Sequence, residues 1–273
     1  MTYTLSTAER QQYREQGYFI RQGIIAPDDI EALKSDIESL LERSLANQGP
    51  ELRWINKEKR IPNRLGQLLR PGWVQPSFVD SLEHGPYIPI AEQILEGPVR
   101  YGAFGMLAGG DGRAYIQDWH RDAAPVEGDQ QMSILERGYW KGVQINAPLF
   151  PDRFLTIVPG SHLRPTTEAE REVLKYNPKG DMPGQMTVEL EPGDVVFYYP
   201  NFLHRGYNPS GEIRWTMHHS FMNINYPVWA QERGQEEWIG QPDYLESLPP
   251  AARLFMQRFL DAVPDGDSPP QAS

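Results

Sequence analysis

The feature that most constrains the fold of this chain is a series of short apolar segments separated by turn residues. Between residues 99 and 223, clusters of Gly, Pro and Asp divide these segments, and only residues 167–176 have helical spacing. Short strands divided by turn signals are typical of sandwiches and barrels. The pattern therefore predicts a mostly β fold, with strands at residues 99–107, 114–119, 139–149, 154–158, 186–190, 195–199 and 213–223.

Helices are predicted on both sides of this β region. Residues 6–16 form a first helix, capped by Ser6 or Thr7 with Glu9 near the capping-box position. Other helices are predicted at residues 27–45, 89–95 and 251–260. Residues 1–263 are predicted to be a single domain, and residues 264–273 a disordered tail.

Composition narrows the possible partners. The net charge of −11 disfavours binding to nucleic acid or to an anionic membrane surface, because both would repel an acidic protein. The chain has no cysteine, which excludes disulfides and thiolate chemistry. It has no membrane-length apolar run and no signal-peptide pattern. These features predict a cytoplasmic monomer or homodimer whose partner is a small molecule.

A first candidate site is His120-Arg121-Asp122, which follows a predicted strand. Alternation in an extended chain places His120 and Asp122 on one face, roughly 6.5–7 Å apart, so that both can bind one metal ion. With six His and 37 acidic residues in 273 positions, this spacing is expected about once by chance. Taken alone, it is better explained as an ordinary surface or turn pair.

A second candidate is His204, which comes after a Pro-Gly-Asp turn and the apolar strand at residues 195–199. Its imidazole can complete a set of two His and one carboxylate, an arrangement typical of non-haem Fe(II) oxygenases. Alternatively, it is a loop histidine bonded to a backbone carbonyl.

Arg214 lies ten residues after His204. If the two residues lie on strands paired as a hairpin across residues 206–211, the guanidinium of Arg214 reaches the same cavity. Its planar fork matches a carboxylate. The other interpretation is a surface arginine beside Glu212.

The remaining histidines are weaker candidates. His162 lies in a turn and is predicted to be structural, and His84 is predicted to lie at the surface. His218 and His219 are adjacent on a predicted strand, so at most one of them faces a cavity.

Together and in this order, these segments resemble the phytanoyl-CoA dioxygenase family of Fe(II)/2-oxoglutarate oxygenases. The resemblance covers roughly residues 5–222. It is carried by Trp119-His120-Arg121-Asp122, Val158-Pro159-Gly160-Ser161-His162, the Gly193-Asp194 strand that leads to His204, Arg214, and the early Glu15-Gln16-Gly17-Tyr18-Phe19 followed by Gly23-Ile24-Ile25.

The resemblance implies a double-stranded β-helix, a cupin-like jelly-roll with flanking helices. It implies that His120, Asp122 and His204 are the catalytic iron ligands and that Arg214 binds the distal carboxylate of 2-oxoglutarate. Gln117 and Thr156 match family positions that contact this co-substrate.

The implied activity is an O2-dependent oxidation, most simply a hydroxylation, that releases succinate and CO2. A small metabolite, such as an amino-acid or natural-product intermediate, is the favoured substrate. The basic residues 53–64 are interpreted either as a lid over an anionic or zwitterionic substrate or as a solvated loop. Two other classes stay open: a non-catalytic jelly-roll binding protein, and a cupin-type metal-dependent isomerase or lyase.

Overall fold

The computed structural model describes residues 3–122, 142–226, 228 and 232–264. In these residues, two antiparallel sheets form the centre of the molecule and helices flank them. The strands are β1 (Tyr18–Arg21), β2 (Trp54–Asn56), β3 (Ile61–Pro62), β4 (Val99–Gly109), β5 (Tyr115–Ile116), β6 (Gly142–Pro148), β7 (Asp152–Ile157), β8 (Met186–Leu190), β9 (Val195–Tyr198), β10 (His204–Asn208) and β11 (Arg214–Asn223).

From β5 to β11, the chain crosses between the two sheets at every connection except that from β7 to β8. The major sheet has the order β1-β9-β6-β11-β4, and the minor sheet has the order β5-β10-β7-β8. A separate hairpin consists of β2 and β3. Every strand pair is antiparallel. This arrangement confirms the predicted mostly β, jelly-roll fold with flanking helices.

Helices pack against one face of the major sheet, where the largest hydrophobic core includes residues from Leu5 to Phe259. The helices are α1 (Thr7–Gln16), α2 (Pro27–Leu45), α3 (Pro76–Glu83), α4 (Tyr87–Ile94), α5 (Glu168–Tyr176), α6 (Glu236–Ile239), α7 (Pro242–Ser247) and α8 (Pro250–Asp261). None of the helices in the described part of the chain has the length and apolar character needed to cross a membrane.

The two faces of the major sheet differ in chemistry. Ile145 on β6 and Met217 on β11 are buried in the core beneath the helices. Their neighbours Gln144, Asn146 and His218 line a cavity between the two sheets. Because successive side chains of a strand point to opposite faces, alternation sends apolar residues to the helices and polar residues to the cavity.

The N-terminal segment shows how local sequence determines the entry into the sheet. Ser6 and Glu9 form the predicted capping box at the start of α1. Gly17 ends the helix with φ 84°, in the left-handed region that favours glycine. A Cβ at Gly17 would lie 2.7 Å from Nδ1 of His162, so a side chain does not fit there. Phe19 then stacks on Phe197, with ring centroids 5.2 Å apart.

The predicted elements differ from the structure in several places. The prediction for residues 27–45 is confirmed as α2, whereas α3, α6 and α7 were not predicted. The proposed hairpin of the strands carrying His204 and Arg214 is wrong. β10 pairs with β5 and β7 in the minor sheet, while β11 pairs with β4 and β6 in the major sheet.

Some predictions fall outside the described residues. They concern residues 139–141 of a predicted strand and residues 265–273 of the predicted tail. The single-domain assignment of residues 1–263 stays a prediction.

The ion pair between Glu9 and Arg21 yields a stability prediction. Its Oε1–Nε distance is 2.5 Å, and hydrogen bonding by Arg21 lowers the pKa of Glu9 to about 2. Because the folded pKa is below the unfolded value, this contribution is present at neutral pH and is lost as the pH falls from about 4.5 to about 2. We expect Glu9→Gln to lower the free energy of unfolding by about 1 kcal/mol at pH 7, after allowing for solvent screening.

Urea unfolding of both proteins between pH 7 and pH 3 measures this difference, which should shrink at the acidic end. Glu96→Gln is the matched control, because its ion pair with Arg14 is largely exposed and should contribute less. A difference that does not change with pH would contradict the prediction.

Candidate metal and co-substrate site

A reciprocal backbone bridge joins His204, at the start of β10, to His120, in the segment that follows β5. His120 N–H donates to the His204 carbonyl at 3.1 Å, and His204 N–H donates back to the His120 carbonyl at 3.0 Å. Asp122 N–H donates to the Pro200 carbonyl at 3.2 Å. These bonds place the three predicted side chains at one end of the cavity. One ligand atom from each lies within 4.8 Å of the other two.

Both imidazoles are oriented by their Nδ1 atoms. His120 Nδ1 lies 2.8 Å from the Asp118 carbonyl, and His204 Nδ1 lies 3.0 Å from the Phe202 carbonyl. A carbonyl can only accept, so both rings carry the proton on Nδ1 and present the Nε2 lone pair. The Nε2 atoms lie 3.6 Å and 3.7 Å from Asp122 Oδ1. Two Nε2 lone pairs and one carboxylate oxygen therefore converge on the same space.

Burial favours the neutral imidazole that a metal requires. The His204 side chain is 8% exposed, and its burial lowers the pKa of this residue. A neutral ring can donate its Nε2 lone pair without first losing a proton. The second carboxylate oxygen of Asp122 accepts a hydrogen bond from the Gln144 amide, so Oδ1 is left for a metal. The donor set fits a divalent cation with open coordination positions.

Arg121, which lies between His120 and Asp122, holds this segment to neighbouring loops. Arg121 Nη1 donates to the carbonyls of Ser161 and Asn201 at 2.8 Å and 2.7 Å. Burial lowers the pKa of this guanidinium to about 10, so it remains charged at neutral pH. Arg121 thus joins the His120–Asp122 segment to the loop that leads into β10.

Arg214 lies at the start of β11, and the carboxylate of Asp152 holds its guanidinium at Nε. Its Nε donates to Asp152 Oδ2 at 3.0 Å, and the side chains are 5% and 2% exposed. Asp152 also accepts from the Thr216 hydroxyl and, at 2.8 Å, from the Phe154 N–H. Within the described residues, the two terminal nitrogens of Arg214 make no hydrogen bond, and Arg214 lines the cavity. The two terminal nitrogens can therefore donate hydrogen bonds to a carboxylate.

The two other predicted co-substrate residues differ in position. Gln117 lines the cavity, and its Oε1 accepts from the Gly206 N–H at 3.1 Å. Thr156 is not among the lining residues. It pairs with Arg205 of β10, while its neighbour Leu155 faces the cavity. The contact of Thr156 with the co-substrate therefore stays a prediction, and the described cavity lining does not support it.

The cavity has a volume of about 500 Å³, which is typical of a small-molecule site. Sequence reasoning missed several of the residues that form it. Asn146 Oδ1 lies 2.8 Å from His218 Nδ1, so these two cavity residues form a cross-strand pair. The signal that could have found them is the alternation of polar and apolar residues along β6 and along residues 214–218 of β11. The missed lining residues include Asn63, Arg113, Gln144, Asn146, Tyr198 and Asn208.

The other histidines have separate surroundings. His162 Nε2 lies 3.0 Å from the Arg14 carbonyl, outside the metal-donor cluster, as expected for a structural residue. His218 faces the cavity, whereas His219 is fully buried and stacks on Phe104 at 3.9 Å. The prediction that these neighbours point to opposite faces is confirmed.

Comparison with solved structures supports the fold. EctD from S. alaskensis, crystallised with 2-oxoglutarate and 5-hydroxyectoine, is 15% identical, with a TM-score of 0.62 over 91% of this chain and 86% of that one. AviO1 from Streptomyces viridochromogenes Tue57 is 23% identical, with a TM-score of 0.59 over 82% and 99%. SnoK, a non-heme alpha ketoglutarate dependent carbocyclase from nogalamycin biosynthesis, is 19% identical, with a TM-score of 0.58 over 81% and 85%.

Sequence comparison identifies the family. No curated protein matches the chain significantly. The family profile described as Phytanoyl-CoA dioxygenase (PhyH) matches residues 13–215, which is well over half of the chain. The resemblance seen in the sequence is thereby confirmed, and the protein belongs to the phytanoyl-CoA dioxygenase family.

Proposed function

We propose that this protein is an Fe(II)- and 2-oxoglutarate-dependent oxygenase that oxidises a small molecule. The observation that carries the proposal is the presence of two sites in one cavity: the donor set of His120, Asp122 and His204, and the open guanidinium fork of Arg214. Iron and 2-oxoglutarate, bound together, supply dioxygen activation coupled to the release of succinate and CO2.

In this proposal the protein's residues have distinct tasks. His120, Asp122 and His204 would hold the metal through two imidazole nitrogens and one carboxylate oxygen, a set that would leave coordination positions for other ligands. Gln144 holds the carboxylate of Asp122, and the two backbone carbonyls hold the imidazoles. These contacts fix the direction of each lone pair before the metal arrives, which reduces the entropy lost on binding.

Arg214 is proposed to bind the distal carboxylate of 2-oxoglutarate. Asp152 bonds only the Nε edge of the guanidinium, so the two terminal nitrogens of this lining residue are left to bind a ligand. Gln117 is a proposed second contact to the co-substrate because it lines the same cavity. Thr156 is not included, since it lies off the lining.

Hydroxylation is the proposed outcome. Family membership supports an oxygenase, but members of this fold include the carbocyclase SnoK. Hydroxylation requires only that the cavity hold one C–H bond near the open face of the metal and exclude water. A small metabolite fits the cavity volume of about 500 Å³. A monomeric or homodimeric state and a cytoplasmic location stay predictions.

The two alternative functions differ from this proposal in the site residues that they require. A non-catalytic jelly-roll would need no intact donor set, and a cupin-type isomerase or lyase would need no arginine fork. No feature of the described residues favours either one over the oxygenase.

The proposal predicts a specific spectroscopic result. Anaerobic addition of Fe(II) and 2-oxoglutarate should produce a weak visible charge-transfer band, which Asp122→Ala and His204→Ala should abolish by removing a ligand. In air, the wild-type protein should release succinate. Absorption titration and succinate quantification measure the two effects.

Leu203→Ala, beside His204 but not a donor residue, checks that loss of the band does not result from general destabilisation. If the wild-type protein gives no band and releases no succinate, the proposed function is wrong.

A second prediction concerns the support of Arg214 by Asp152. We expect Arg214→Gln to weaken 2-oxoglutarate binding about 10- to 100-fold, because a charge-assisted bidentate contact is lost. Asp152→Asn should weaken it about tenfold, because the guanidinium loses its anchor. Neither change should weaken the binding of 2-oxovalerate, which has a methyl group in place of the distal carboxylate. Calorimetric titration of both keto acids measures these effects.

Breaking the buried pair also costs stability, on the order of 3–5 kcal/mol. Glu170→Gln is the matched control, because it breaks another ion pair with a buried carboxylate, to Arg164, away from the cavity. It should reduce stability and leave the preference for 2-oxoglutarate over 2-oxovalerate unchanged. Equal loss of that preference in Glu170→Gln would show that Asp152 has no specific effect.

A further inference from the structure

Two arginines that the proposed function does not use line the same cavity. They are Arg64, in the segment after β3, and Arg113, between β4 and β5. Within residues 3–122, 142–226, 228 and 232–264, neither guanidinium has an ion pair or a side-chain hydrogen bond. In a chain with a net charge of −11, two uncompensated cations in one cavity need an explanation.

Two of the neighbouring cations have carboxylate partners. Lys59 pairs with Asp111, and Arg60 pairs with Glu42 at 3.0 Å. Both therefore have carboxylate partners away from the cavity lining, as expected for a solvated loop. Arg64 comes four residues after Arg60 but has no such partner. Of the five cations in residues 53–64, two have carboxylate partners outside the lining, and Arg64 is the one that lines the cavity.

The electrostatic effect of Arg64 extends into the cavity. Burial lowers the pKa of His218 well below its ordinary value, and the positive charge of Arg64 adds to this lowering. Since His218 lies on the inner face of β11, the guanidinium of Arg64 is close enough to the cavity floor to influence a group there.

Arg113 is placed by a close backbone contact. A Cβ on Gly211 would lie 2.3 Å from the backbone nitrogen of Arg113. The Gly112 N–H donates to the Gly211 carbonyl at 3.1 Å. Gly211 has φ +66°, which also favours glycine. The β10–β11 turn therefore holds the backbone of Arg113 at the cavity wall.

The charges of the lining are not balanced. Three arginines line the cavity, whereas Asp122 is its sole lining carboxylate among the described residues. Asp152 offsets the charge of Arg214 from behind. In the part of the chain that the structure describes, Arg64 and Arg113 have no carboxylate partner, and the neutral amides Asn63 and Asn208 lie in the same lining.

We propose that Arg64 and Arg113 bind an anionic group of the substrate, a carboxylate or a phosphate monoester, while the co-substrate occupies Arg214. The proposal rests on the proposed function for the identity of the co-substrate. A planar guanidinium binds either oxyanion through two parallel hydrogen bonds. The substrate is therefore an acid or a phosphate ester rather than a neutral molecule.

Calorimetric titration tests this proposal without knowledge of the natural substrate. The full chain is loaded anaerobically with Fe(II) and saturating 2-oxoglutarate, so that Arg214 is occupied. Benzoate, phenyl phosphate and neutral benzamide are then titrated separately. We expect at least one anion to bind about tenfold more tightly than benzamide, and its binding to weaken as NaCl is added. The stronger of the two anions identifies the chemical class.

Variants connect that binding to the two arginines. Arg64→Gln and Arg113→Gln should each raise the Kd of the preferred anion about five- to tenfold, with no effect on benzamide. Arg60→Gln, a change in the same basic stretch at a residue outside the lining, is the matched control and should change nothing. The proposal is overturned if neither anion binds more tightly than benzamide, or if both lining variants bind the anion as the wild type does.

The proposed function can fail separately. Absence of the charge-transfer band before any anion is added refutes the iron and 2-oxoglutarate assignment alone. In that case the same anion titrations on the metal-free chain, wild type against Arg64→Gln and Arg113→Gln, still decide the role of the two arginines.

Discussion

The candidate site depends on the backbone bridge that joins His120 to His204. These residues are 84 positions apart, yet each donates its N–H to the carbonyl of the other. A side-chain donor set made from distant segments is only as rigid as the backbone that holds it. The bridge sets the separation of the two rings, and the bonds from each Nδ1 to a nearby carbonyl set their rotation. Asp122 then needs only its own backbone bond to Pro200 to join them.

The two faces of the major sheet have different roles, one in stability and the other in ligand binding. One face of the major sheet packs on helices and holds the largest hydrophobic core, and the other faces the cavity. Polar side chains there are costly unless they have partners. Asn146 pairs with His218, Gln144 binds Asp122, and Asp152 binds Nε of Arg214, so these polar groups have defined neighbours. These pairs also orient the groups that meet a ligand.

Sequence patterns predicted α2, whose 19 residues carry a clear helical period, and the β-rich class. The short helices α6 and α7 were missed because one or two turns give too few apolar positions to show a period. For the site, spacing and resemblance pointed to His120, Asp122, His204 and Arg214. Asp152 could not be found in this way, because its role depends on which strands become neighbours across the cavity.

Alternation along β6 has a consequence for how proteins of this kind diversify. Gln144 and Asn146 face the cavity, while Val143 and Ile145, which alternate with them along the strand, are buried under the helices. A substitution at an inward position alters the chemistry presented to a ligand and leaves the packing of the adjacent residue intact. Alternate residues of β6 thus determine ligand preference and core packing, so selection can change the cavity residues while the core residues stay the same.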